Sequence, residues 1–257
     1  MYRMMSSLRT SPAWILASLL AFMVICSCTT HPNEPPAYSG LEAIGKNAKG
    51  YREFRLKAIP SMIFVEIIAD ESSNEVEENF LISKYEVTVA EYLAYCRLSG
   101  NEVYPEDKIL YEMRDQSTPI FHVDWKDSQK FCEFLGLRLP TESEWEAAAV
   151  NNDQKYTWGK AFEPSKANLR GMEDGFEFSA PVREFESGQS YSGVVSMCGN
   201  VWEWIADHGD GKERICKGGC YSSTWETCSV KHRIKLSISD RNHRIGIRPA
   251  FSKGTVK

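Results

Sequence analysis

The most reactive side chains in this chain are its cysteines. Eight occur. Cys26 and Cys28 end an apolar N-terminal segment, and Cys96, Cys132, Cys198, Cys216, Cys220 and Cys228 follow. Cys216 and Cys220 bracket a Gly218-Gly219 turn, with Cys228 shortly beyond. In an oxidising compartment some of these thiols would pair, and spacing alone does not choose which. Cys96 and Cys132 each fall late in an apolar helical pattern and read as buried thiols. The five histidines, His31, His122, His208, His232 and His243, include no two at metal-ligand spacing on a helix. Each reads as a hydrogen-bonded or solvated residue.

A second group is aromatic. Trp202 and Trp204 flank Glu203, and Trp158, Tyr221 and Trp225 belong to the same assembly. Trp202 and Trp204 read as core. Trp225 reads as an exposed contact, because Trp and Tyr are enriched where proteins bind.

These residues need a frame. The stretch Arg138-Leu139-Pro140-Thr141-Glu142-Ser143-Glu144-Trp145-Glu146 predicts a turn feeding a helix. Thr141 is its N-cap, Glu144 completes a capping box, and the three glutamates suit the positive end of the helix dipole. Thr88 with Glu91 predicts a second capping box, before a helix that buries Tyr92, Leu93 and Cys96. Asp124 caps a third helix that stops near Gly136. Ile59 to Ile68 and Phe80 to Glu86 read as strands, and residues 100–118 as an acidic loop. Beyond Val150 periodicity is scarce and long ordered loops are expected, of the kind that carry function or bind ions.

The length of 257 residues and net charge of −5 suit a packed domain and argue against nucleic acid as a partner. Residues 1–28 read as a targeting segment: Arg3 and Arg9 precede a short apolar run that ends Ile25-Cys26-Ser27-Cys28. That ending resembles a bacterial lipobox with Cys28 as the lipidated residue, which implies a chain exported and lipid-anchored in the cell envelope, at the outer membrane. Residues 29–50, polar and carrying Pro32, Pro35, Pro36, Gly40, Gly45 and Gly50, read as a flexible tether. Residues 51–257 form the remaining domain.

The order of the motifs carries a resemblance. Arg138 to Glu146 is followed by Gly199-Asn200-Val201-Trp202-Glu203-Trp204, then Gly218-Gly219, then Ile245-Gly246-Ile247-Arg248. From about Ile59 to Phe251 the chain resembles the family of the formylglycine-generating enzyme, the sulfatase-modifying factor. The resemblance implies an α+β, C-type-lectin-like fold with little regular structure, stabilised by calcium.

The resemblance also implies sites. A first calcium would take the side chains of Asn168 and Asp174 and the carbonyls of Leu169 and Phe176, as hard cations take oxygens. A second would take Ser196, Gly199, Val201 and Glu203, where Ser196 departs from the family's Asn or Asp. The family's copper(I) is held by a Cys-x4-Cys pair, soft thiolates for a soft ion. Here those positions fall on Ser223 and Cys228, so one thiolate is missing and the resemblance argues against copper(I). Cys220 stands where the family has serine, which leaves a rearranged Cys220–Cys228 dithiol, a disulfide or two separate thiols. The resulting expectation is a catalytically diverged binding or scaffold module of the envelope, with an assembly role in gliding- or secretion-type machinery by analogy. It would bind an envelope protein or peptide through Tyr221, Ser223, Trp225 and Arg233. The alternative is a copper-dependent oxidase that converts a substrate-protein cysteine to formylglycine, with Cys228 as its catalytic thiol.

Overall fold

The β-branched run that begins at Ile59 does form a strand, β3 (Ile59–Ile67), and Phe80–Ser83 forms β4 beside it. The computed structural model describes residues 40–69, 76–103, 105–171, 174–208 and 211–252. The targeting segment, Cys28 and the first part of the expected tether lie outside the described residues.

Strands β3 and β4 pair antiparallel, Val65 opposite Ile82 and Ile67 opposite Phe80. Both faces of this pair are apolar because both are covered. Phe64 and Leu81 enter one cluster with Tyr92, Tyr95 and Phe131, while Val65, Ile67, Phe80 and Ile82 enter a second with Trp145, Ala148 and Ala149. A strand buried on two faces loses the alternation of a half-exposed one, which explains the imperfect pattern in the sequence.

Two further strands precede this pair. Leu41–Lys46 is β1 and Arg52–Leu56 is β2, antiparallel neighbours that extend the sheet from β3. The stretch read as a tether to residue 50 therefore ends in folded structure. The glycines that read as linker have structural places instead: Gly45 lies in β1 at a register shift, and Gly50, at φ +87°, donates its N–H to the carbonyl of Asn47 at 2.9 Å. The expected loop at 100–118 also contains a helix. Val89–Ser99 is α1 and Pro105–Met113 is α2, with Pro at the first helical position, where its missing N–H costs nothing. Buried Tyr111 anchors α2, its hydroxyl donating to the Phe121 carbonyl at 2.7 Å.

The caps predicted for the remaining helices are present. Asp124 caps α3 (Trp125–Phe134), and Thr141 caps α4 (Glu142–Ala149) with both arms of the capping box formed. After the long loops come β5 (Trp202–His208), β6 (Glu213–Lys217), β7 (Arg233–Ser237), β8 (Ile245–Gly246) and β9 (Ala250–Phe251). Among the described residues they complete two sheets, ordered β1-β2-β3-β4-β9 and β7-β6-β5-β8. The arrangement is α+β, with the loop after α4 bringing Asn168 to the turn that enters β5, where its carbonyl accepts the Asn200 N–H at 3.0 Å. Among the described residues no helix is long and apolar enough to cross a membrane.

Candidate functional site

Helix α4 is the hub of the site: Glu142, Trp145 and Glu146 each have a distant partner, and Glu144 pairs with Arg138 just before the helix. Arg138 donates twice to Glu144, at 2.6 and 2.5 Å, and also to Ser252. Trp145 donates its indole N–H to Glu203 Oε2 at 2.6 Å. Glu203 in turn receives Arg248 Nε at 2.8 Å and Nη2 at 2.7 Å, and both residues are 0% exposed. Arg248 spends its other N–H groups on the carbonyls of Ser83, Lys84 and Val195. Glu86 lies beside this pair. Burial pushes its carboxyl well above the usual range, Arg248 opposes that and Glu203 adds to it.

Lys217, 0% exposed, sits between Glu142 at 3.2 Å and Glu146 at 2.6 Å. Glu142 also takes Arg233 at 2.6 Å, and Glu146 takes Lys231 at 2.5 Å. Burial raises the Glu146 carboxyl, but hydrogen bonds from Lys217 and Lys231 outweigh it and hold the group below its ordinary value. Arg233, expected as a ligand contact, is exposed, and its Nη1 pairs with Glu142, a carboxylate that buried Lys217 already shares.

The loop from Gly218 to Cys228 packs against the segment that enters β5. Gly199 donates to the Gly218 carbonyl and Tyr221 to that of Asn200, both at 2.8 Å. Ser223 is buried and turned inward. Its Oγ accepts the Cys220 N–H at 3.0 Å and lies 3.4 Å from the Cys220 sulfur. Cys220 Sγ also lies 3.2 Å from Ser222 Oγ. Cys228 Sγ donates to the Trp225 carbonyl at 3.5 Å and is within reach of Cys198, and Cys220 and Cys228 belong to different apolar clusters. The rearranged Cys220–Cys228 pair is therefore not what the fold brings together. Cys198, unremarkable in sequence, is the thiol beside Cys228.

The two expected aromatic contacts belong to separate surfaces. Trp225 is 44% exposed, with Lys155 Nζ 4.7 Å above its ring and Phe162 at 6.1 Å. Tyr221 is half-buried and packs edge-on against exposed Phe178 at 5.8 Å. It lines a cleft of about 390 Å³ with Arg170, Phe176, Glu177, Ser222 and Arg244. Trp202 and Trp204 are buried, as read.

The first calcium set fits a hard cation. Asp174 Oδ1 accepts the Phe176 N–H at 3.0 Å, while its Oδ2 is buried without a hydrogen-bond partner. An uncompensated carboxylate oxygen of that kind is what a cation would satisfy. Asn168 turns its amide nitrogen to the Phe178 carbonyl at 2.9 Å. The second set is divided: Ser196 Oγ is a buried oxygen without a hydrogen-bond partner, but the carboxylate is already engaged. Three N–H donors from Arg248 and Trp145 already occupy the Glu203 carboxylate, and its charge is balanced by Arg248. Ser196, at φ +59°, offers one neutral oxygen.

The histidines yield a contact that spacing could not show. His122 and His243 have ring centroids 4.1 Å apart, and His122 Nδ1 lies 2.7 Å from Asp107, which Arg241 also engages at 3.0 Å. Burial, then His122 and Arg114, hold His243 below its usual range. Among the described residues no cluster of three or more His, Cys, Asp or Glu side chains is placed to hold a metal.

Comparison with known proteins agrees with this architecture. Residues 50–253 match the family described as the sulfatase-modifying factor enzyme 1-like domain. The inactive C-alpha-formylglycine-generating enzyme 2 of Bos taurus is 37% identical over 132 residues, 46% of this chain and 43% of that protein. The formylglycine-generating enzyme of Mus musculus is 30% identical over 167 residues, 54% of this chain and 43% of that protein. The chain spans about half the length of the curated relatives it matches. Among solved structures, PvdO from Pseudomonas aeruginosa superposes with a TM-score of 0.57 at 19% identity, covering 83% of this chain and 99% of that one.

Proposed function

The chain belongs to the sulfatase-modifying factor enzyme 1-like family, and on that premise we propose that it is a catalytically diverged member serving as a binding module of the cell envelope. The observation that carries the reading is Ser223. It stands where the family resemblance requires a copper-holding thiolate, and its hydroxyl is engaged in capping the turn at Cys220. A neutral, hard oxygen is a poor ligand for copper(I), so the residues present do not fit that ion. Relatives with the word inactive in their names, from Bos taurus and Mus musculus, are consistent with such loss.

Binding is assigned to the cleft beside Tyr221. Arg170 and Arg244 bring two guanidinium groups to it, and Tyr221 and Phe176 bring aromatic surface. Guanidinium forks take carboxylates in two-point contacts, so the ligand is a peptide or protein segment that presents an acidic group next to an apolar one. Trp225 with Lys155 offers a secondary contact outside that cleft. Calcium at Asn168, Leu169, Asp174 and Phe176 holds the loop that forms one wall, since Leu169 and Phe176 also line the cleft.

The catalytic reading is tested with the reduced full chain supplied with copper(I), oxygen and a peptide carrying the Cys-x-Pro-x-Arg motif. Mass spectrometry is expected to find the peptide cysteine unchanged. Its conversion to formylglycine, abolished by Cys228→Ser, would overturn the proposal. Anchoring through Cys28 is tested by labelling cells with radioactive palmitate. The chain is expected to take up label and Cys28→Ala to lose it; an unlabelled wild-type chain rules the anchor out.

A further inference from the structure

Six cysteines are described, all buried as free thiols, and packing sorts them unevenly. Cys96, Cys132, Cys216 and Cys220 belong to one apolar cluster. Cys198 and Cys228 belong to the other, alone among cysteines, with Trp145, Tyr156, Met197 and Val230 around them. Each thiol is within hydrogen-bonding reach of the other, and Cys228 Sγ also lies 3.5 Å from the Trp225 carbonyl oxygen.

The backbone fixes this meeting. The hydrogen bonds from Gly199 to Gly218 and from Tyr221 to Asn200 lock the two segments together on either side. Gly219, at φ +81°, lets the second segment double back on itself: a Cβ there would stand 3.0 Å from both Cα and Cβ of Cys228. Cys228 is thus pressed against the turn that follows Gly218, whose carbonyl is tied to the residue after Cys198. Cys220 is not a competitor, since its sulfur faces Ser222 and Ser223.

From this geometry we propose that Cys198 and Cys228 are joined by a disulfide, which staples the entry to β5 to the end of the Gly218–Cys228 loop. A thiol is a weak hydrogen-bond donor and a weak acceptor, so the polar contacts the two make, Cys228 with the Trp225 carbonyl and Cys198 with Thr157, hold them only weakly as thiols. The covalent bond needs no polar partner and fills the same space. The oxidant is a small-molecule disulfide such as oxidised glutathione. One cysteine thiolate attacks it, forming a mixed disulfide and releasing one glutathione thiolate. The second cysteine then attacks the mixed disulfide and releases the other glutathione. The chain loses two thiol hydrogens and two electrons, and one oxidised glutathione becomes two reduced molecules. Because both sulfurs are buried, exchange proceeds while the Gly218–Cys228 loop is open or before the chain has folded. Burial raises the Cys198 thiol, but hydrogen bonds from Cys228 and Thr157 outweigh that and favour its thiolate. The bond does not depend on what the Tyr221 cleft binds.

The test equilibrates the full chain with oxidised and reduced glutathione by two routes, from the native state and by refolding from reduced, denatured chain. Remaining thiols are then blocked with iodoacetamide in denaturant and the peptides mapped by mass spectrometry. The expected result is a cross-linked pair holding Cys198 and Cys228, with Cys96, Cys132, Cys216 and Cys220 alkylated. Oxidation should also raise the urea midpoint of the wild type and leave that of Cys198→Ser unmoved. Alkylation of both Cys198 and Cys228 after both routes would overturn the proposal, and so would a cross-link from Cys228 to Cys220. Neither result would bear on the cleft, and failure of the cleft to bind peptide would not bear on the disulfide.

Discussion

Replacing Arg248 with leucine is expected to cost about 3–5 kcal/mol of stability, the range for removing one partner of a buried ion pair. The magnitude follows from what would be stranded. Glu203 would keep only the Trp145 indole as a donor, in a site closed to water. The carbonyls of Ser83, Lys84 and Val195 would lose the guanidinium as a donor, although that of Lys84 keeps the Val195 N–H at 2.9 Å. Glu86, already pushed up by burial, would lose the positive charge that opposes the shift. Urea unfolding measures the loss. Arg248→Lys should fall between leucine and wild type, because an ammonium keeps the charge but cannot fork onto both oxygens of Glu203. A leucine variant within about 1 kcal/mol of wild type, the size of an exposed pair, would show that the cluster does not hold the fold together.

Gly199→Ala is expected to cost about 2–4 kcal/mol, combining a left-handed backbone with overpacking. Gly199 has φ +88°, and an added Cβ would lie 2.4 Å from the Asn168 carbonyl oxygen and 3.1 Å from Leu169 Cδ2. The nearest obstacle is backbone, so no rotamer change relieves it. The Asn168 carbonyl is itself fixed by the Asn200 N–H at 3.0 Å, and the substitution must push away the segment assigned to calcium. Millimolar calcium is accordingly expected to raise the melting temperature of the wild type, reversibly with chelator. Asp174→Asn and Gly199→Ala should both abolish that response. A wild type indifferent to calcium would remove the ion from the proposal, and an alanine variant of unchanged stability would refute the clash.

The helix starts were legible because their signals are local. Thr88, Asp124 and Thr141 each satisfy a backbone N–H three residues away, and that requirement is written in the order of the residues. The first two strands were not legible. Arg52, Glu53 and Arg55 give β2 a charged, linker-like composition, yet Phe54 and Leu56 supply the buried face. At the site, the missing thiolate at Ser223 could be read, but the fate of Arg233 could not. It depends on Glu142, 91 residues away, and on how buried Lys217 shares that carboxylate. The meeting of Cys198 with Cys228 and the tilted contact of His122 with His243 are likewise products of chain reversal, which leaves no periodic trace. Clefts made by loops, such as the one at Tyr221, share this opacity, because their walls come from segments with no regular period.

The terminal strand β9 has a consequence for the order in which the molecule can be made. It pairs with β4 through Leu81 and Phe251, and Arg138 exchanges both backbone hydrogen bonds with Ala250. Arg248, just before it, supplies the counter-charge for Glu203. During synthesis from the N-terminus, β4 therefore waits with an open edge, and Glu203 with a bare charge, until residues 248–251 have left the ribosome. Long-range pairings of this kind close slowly. A nascent chain halted before residue 248 has neither closure, so the pairing of β4 and the neutralising of Glu203 both wait on the segment from Arg248 to Phe251.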